Sequence, residues 1–90
     1  MESRRASELV DAIGRAVQEG WAEEAKKMPN PPPAWLKTYD EVSESMRRKD
    51  RNIGRHVLKA LWEWADRNNM TVKDFAMTLK EVAESGEEKL

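Results

Sequence analysis

Residues 39–64, YDEVSESMRRKDRNIGRHVLKALWEW, decide the fold of this 90-residue chain. Apolar side chains recur at Val42, Met46, Ile53, Val57, Ala60, Leu61 and Trp64, the three-and-four spacing of one helical face. No proline interrupts the run, and Gly54 is the one weak helix former inside it. Ser43 is the expected N-cap, because its hydroxyl can accept from a free amide of the first turn. Asn68 and Asn69 are the expected stop, since Asn tolerates the left-handed backbone that follows a helix.

The opposite face carries charge. At about 100° per residue, Arg48, Arg51, Arg55 and Lys59 fall in one stripe with Trp62 on its edge. Between Met46 and Ala60 there are six Lys and Arg residues against the single acid Asp50, a local +5 in a chain of net −1. Two readings of the stripe stand side by side. It is a solvated face balanced by acids elsewhere, or an anion site in which Arg51 and Arg55 sit beside aromatic rings. Asp50 points toward the apolar side, where an unpaired carboxylate is costly. It is therefore expected at a junction, accepting from an indole, the Tyr39 hydroxyl or an arginine.

Working outward, SELVDAIGRAVQEGWAEEAKKM (7–28) reads as a second amphipathic helix, with Leu9, Val10, Ile13, Val17 and Trp21 on one side. Ser3 or Ser7 is its expected cap. Gly20 on the apolar face predicts the close approach of something bulky. Pro29, Pro31, Pro32 and Pro33 then stop the helix and stiffen the connection. Trp35, Leu36 and Tyr39 should tack that connection onto the helices. A short proline run is also a ligand type for proline-binding domains. Beyond the central helix, Thr71 opens a third, TVKDFAMTLKEVAES, with Val72, Phe75, Ala76, Leu79, Val82 and Ala83 on its apolar face and Gly86 as its stop. The tail 87–90 is expected to fray. MTVKDFA also reads like the start of a helix-turn-helix, but no second helix follows it. The expected architecture is an all-α three-helix bundle, residues 1–90 as a single domain, built on an antiparallel pair with a proline-rich connection.

Composition excludes several function classes. There is no cysteine, hence no disulfide framework, no thiolate nucleophile and no cysteine-based zinc site. One histidine, His56, cannot make the usual multi-histidine metal centre. No apolar run approaches the ~20 residues of a membrane span. The N-terminal MESRRASEL lacks the apolar core of a signal peptide, so the expected location is the cytoplasm. Many acids are present but none converge as a pair, so neither a catalytic site nor a cofactor is expected. Near-neutral net charge argues against DNA or RNA as the partner.

The first two helices and their connection resemble the RyR domain, the small repeat of ryanodine receptors that also occurs in prokaryotic and phage proteins. VQEGWAEEA resembles that domain's V-H-x-x-W-A signature. WLKTYDEVSESMRRKDRNIGRHVLKAL resembles its second signature through Tyr39, Asp40, Glu41, Val42, Ser43, Asp50 and Arg51. The resemblance covers about residues 9–61. The chain departs from it at Gln18, where the family has His, in lacking a Gly-Trp-x-Tyr-Gly-Pro segment, and in its extra C-terminal helix over 71–85. It implies a helical hairpin held by a cluster of Trp21, Tyr39 and Asp50, without catalytic residues, in a phage or bacterial defence setting.

Two functions follow as expectations. The first is a non-enzymatic module acting through a protein partner or a homo-oligomer. The alternative is a binder of a nucleotide-like ligand at a basic and aromatic pocket. Trp35, Tyr39, Arg51, Arg55 and Trp62 are the candidate binding residues in both. Trp21 and Trp64 are expected in the core, and Trp35 and Trp62 partly exposed.

Overall fold

In a computed structural model of the chain, residues 2–86 are described; the tail 87–90 expected to fray lies outside them. The fold is all-α: α1 spans Arg4–Ala25, a 3-10 turn Pro33–Leu36, α2 Glu44–Arg67 and α3 Val72–Ser85, with no strand among the described residues. Three helices are what the apolar periodicity predicts. The chain divides into two compact units, Met1–Leu58 and Lys59–Leu90.

In the first unit the helix ends follow from local chemistry. Ser3 caps α1 by accepting from the Ala6 amide at 3.1 Å, and Ser43 caps α2 by accepting from Met46 at 3.2 Å. The amides of Lys26, Lys27 and Met28 close the last turn of α1 on Ala22, Glu24 and Ala25 before Pro29 forbids another.

The two helices meet at glycines. A Cβ on Gly14 would lie 2.8 Å from Cγ of Arg51, and one on Gly54 would collide with the Ile13 side chain. Ile13 meets Gly54 while Gly14, one residue on, meets Arg51, so the helices pass each other in opposite directions. Missing side chains at these two positions let the backbones close. Gly20 does not have this role. Nothing lies within 4 Å of its Cβ position, and the bulky neighbour expected there is absent among the described residues.

The proline connection is tacked down, and a buried amide does much of it. Gln18, 1% exposed, donates from Nε2 to the Lys37 carbonyl at 2.9 Å and to that of Ala34 at 3.4 Å. Leu36, expected as an apolar anchor, is 43% exposed. Trp35 instead packs on Trp21, ring centroids 5.1 Å apart and tilted by 41°.

In the second unit α2 ends as its asparagines predict. Asn69 takes a left-handed φ of 50°, and the Met70 amide reaches back to Ala65 at 3.1 Å. Thr71 then accepts from the Asp74 amide at 3.0 Å and starts α3. Gly86, with φ 73°, follows its last residue. Ala65 is the buried apolar residue of this unit, and α3 buries none of its own.

Candidate functional site

Tyr39 organises the lead-in to α2. It is 2% exposed, and its hydroxyl donates to Asp11 at 2.9 Å while accepting from Arg51 at 2.8 Å. Burial raises its pKa, with Arg51 opposing and Asp11 reinforcing the shift. Arg15 covers the ring, its guanidinium 4.9 Å from the centroid. The same Arg15 holds Asp40 through two bonds of 3.0 and 3.1 Å, which keeps the Asp40 carboxyl below its ordinary range. Arg47 closes the turn from the other side, donating to the Val42 carbonyl at 2.7 Å. Asp11 and Arg15 of α1 and Arg51 of α2 thus converge on one side chain.

Asp50 is not part of that network. It is 1% exposed, as its place on the apolar side predicts. The expected donors do not come, however: neither carboxylate oxygen has a hydrogen-bond partner among the described residues. The Tyr39 hydroxyl is given to Asp11, and Arg51 is taken by Tyr39 and, at 2.6 Å, by Glu44. Burial pushes the Asp50 carboxyl up, with the Arg51 charge a smaller opposing influence. Asp50 lines a cavity of about 200 Å3 together with Gln18, Trp21, Trp35, Met46, Lys49 and Ile53. The grouping of Trp21, Tyr39 and Asp50 therefore divides. Trp21 and Asp50 share the cavity, and Tyr39 belongs to the Asp11–Arg51 network.

The basic stripe is largely engaged. Arg51 bonds to Glu44 and Tyr39, and its pKa rises above the ordinary arginine value through Glu44 first. Arg55 forms a two-pronged pair with Glu2, which lowers the Glu2 carboxyl. Arg48 and Lys49 carry no ion pair among the described residues, and with Arg51, Asn52 and Arg55 they line an open concavity of about 420 Å3.

Of the candidate binding residues, Trp35, Tyr39, Arg51 and Arg55 lie in the first unit and Trp62 in the second. Tyr39 and Arg51 touch; Trp35 faces Trp21 instead. Trp35 is half-buried and Trp62 is 67% exposed, as expected. Trp21 and Trp64 were expected in the core, yet they stay 42% and 39% exposed. Both lie on narrow apolar stripes, and Trp21 leaves part of its ring outside its contact with Trp35. Sequence reasoning missed Gln18 as a loop anchor and Asp11 as the Tyr39 acceptor. Gln18 could have been found, because it sits between Gly14 and Trp21 on the inward face of α1.

Around Trp62 the second unit forms a groove of about 540 Å3 with Ala65, Asp66, Asn69, Met70, Thr71, Val72 and Phe75. On the apolar face of α3, Val72, Leu79 and Val82 are 88%, 39% and 67% exposed. No group of three metal-ligating side chains occurs among the described residues, and no helix among them is long and apolar enough to cross a membrane. Comparison with protein-family models, curated proteins and solved structures gives no match to this chain.

Proposed function

We propose that this chain is a non-enzymatic helical binding module that associates with a second copy of itself through α3 and the last turns of α2. The observation that carries this reading is that α3, patterned with an apolar face, buries none of its residues. Val72, Leu79 and Val82 of that face, with Trp62 of α2, leave apolar surface open to water, and exposure of this kind marks interaction surfaces. A unit of about 30 residues is also below the size at which a chain usually folds unaided.

A second copy suits the second unit because its charges are mixed. Lys59, Arg67, Lys73 and Lys80 stand against Glu63, Asp66, Asp74, Glu81 and Glu84, four cations to five acids. A self-complementary patch can pair such signs across a two-fold axis, whereas a patch of one sign would repel its copy. The RyR-type resemblance of residues 9–61 is part of the proposal and rests on the helix signatures alone. The nucleotide reading has weaker support, since Arg51 and Arg55 are already paired with acids.

The test is far-UV circular dichroism with tryptophan emission, followed on dilution. The wild type should lose helix signal and shift its emission to the red as copies separate, and Val82→Glu should show the dissociated signal at every concentration. Spectra that do not change on dilution and match those of Val82→Glu would overturn the reading.

A further inference from the structure

We propose that the cavity between Trp21, Trp35 and Asp50 is a binding site for a small flat cation with paired N–H donors, a guanidinium or amidinium group. The site lies within the first unit, and the proposed self-association face belongs to the second. Asp50 supplies the chemistry. It is 1% exposed and lines the cavity, and no donor of the described residues reaches either oxygen. A carboxylate with both oxygens unused matches the two parallel N–H groups of a guanidinium fork.

The walls fit the same group. The indoles of Trp21 and Trp35 pack on each other at 5.1 Å and both line the cavity, so an aromatic wall adjoins the carboxylate, and such rings attract a cation. A guanidinium is more weakly hydrated than an ammonium, stacks on aromatic rings, and is therefore the easier cation to bring in from water. Met46 and Ile53 make the rest apolar. Gln18 cannot serve Asp50, because its Nε2 is committed to the carbonyls of Ala34 and Lys37. Lys49, the neighbour of Asp50 on the helix, also lines the cavity. Its side chain is exposed, and water and salt screen its charge.

Size narrows the ligand. At about 200 Å3 the cavity exceeds the ~150 Å3 that takes a benzene ring. It falls short of the roughly 300–1,000 Å3 of cofactor-sized pockets. A flat group with a short arm enters; a whole nucleotide does not. The group could belong to a free guanidinium compound or to an arginine side chain on a peptide, and the chemistry at Asp50 is common to both.

The experiment is an indole NMR titration of the full chain with methylguanidinium, a capped Ala-Arg-Ala peptide, and methylammonium and guanosine as controls. Methylguanidinium should shift the Trp21 and Trp35 indole signals saturably. Asp50→Asn should keep its circular dichroism and bind at least about tenfold more weakly. Trp21→Leu, at an exposed ring, should weaken binding several-fold without unfolding the chain. Tighter binding of the peptide than of methylguanidinium identifies a peptide arginine as the ligand, and the reverse order a free compound. Absence of saturable shifts, equal binding of methylammonium, or unchanged affinity in Asp50→Asn would each overturn the proposal.

Discussion

At the scale of single residues Asp50 is the most informative position. Its carboxyl is raised by burial, so the folded chain binds a proton more tightly than the unfolded one. Stability is then highest at low pH as far as this group is concerned, and falls as pH rises through the raised value. Replacing a buried charge that lacks donors by an apolar residue of similar size should relieve that penalty. Asp50→Leu is expected to be more stable than the wild type by about 1–3 kcal/mol at pH 7. The gain should shrink at acid pH, as Asp50 takes up its proton and the penalty on its charge disappears. Paired urea unfolding curves at neutral and at acid pH check this. The difference between variant and wild type cancels the exposed acids Glu2, Asp40, Glu41 and Glu44, whose lowered pKa values give the opposite pH trend. A less stable Asp50→Leu at pH 7 would mean the carboxylate has partners.

Tyr39 behaves differently, because its bonds are shared. Tyr39→Phe removes one donor from Asp11 and one acceptor from Arg51. Asp11 is exposed and turns to water, and Arg51 keeps Glu44. The expected cost is about 1 kcal/mol, read from the shift of a denaturation midpoint. That Tyr39 would be buried was legible from its place beside the α2 cap. That its partner would be Asp11 was not, since Asp11 reads locally as a residue suited to the positive end of α1.

At the scale of elements, glycines separate what sequence can say from what packing decides. Gly14, Gly20 and Gly54 all interrupt helices and look alike in a periodicity plot. Gly20→Ala meets nothing within 4 Å and should stabilise by up to ~1 kcal/mol through helix propensity alone. Gly54→Ala earns the same propensity but drives a methyl into Ile13, a β-branched side chain with little freedom to move. Overpacking costs roughly 1–3 kcal/mol, so the net change should be destabilising. Thermal midpoints of the two variants should move in opposite directions. The caps of α2 and α3, Ser43 and Thr71, were legible, and that of α1 was narrowed to Ser3 or Ser7; Ser3, Ser43 and Thr71 accept from amides three residues on, because capping depends on local chemistry. The crossing of α1 and α2 at Gly14 and Gly54 was not, because it depends on two positions far apart in sequence.

At the scale of the whole molecule, the helical class follows from three amphipathic patterns, while function does not follow from them. An apolar stripe specifies that a face will be covered but not by what. For α1 and the first half of α2 the cover lies within the first unit, through Tyr39, Trp35 and the glycine crossing. α3 buries none of its residues fully, and a second copy is the cover we propose for it. The most direct test is molar mass by light scattering over a concentration series at low and high salt. The mass should rise from one chain to a discrete oligomer and persist at high salt, because apolar burial is not screened. A mass of one chain at every concentration would contradict self-association.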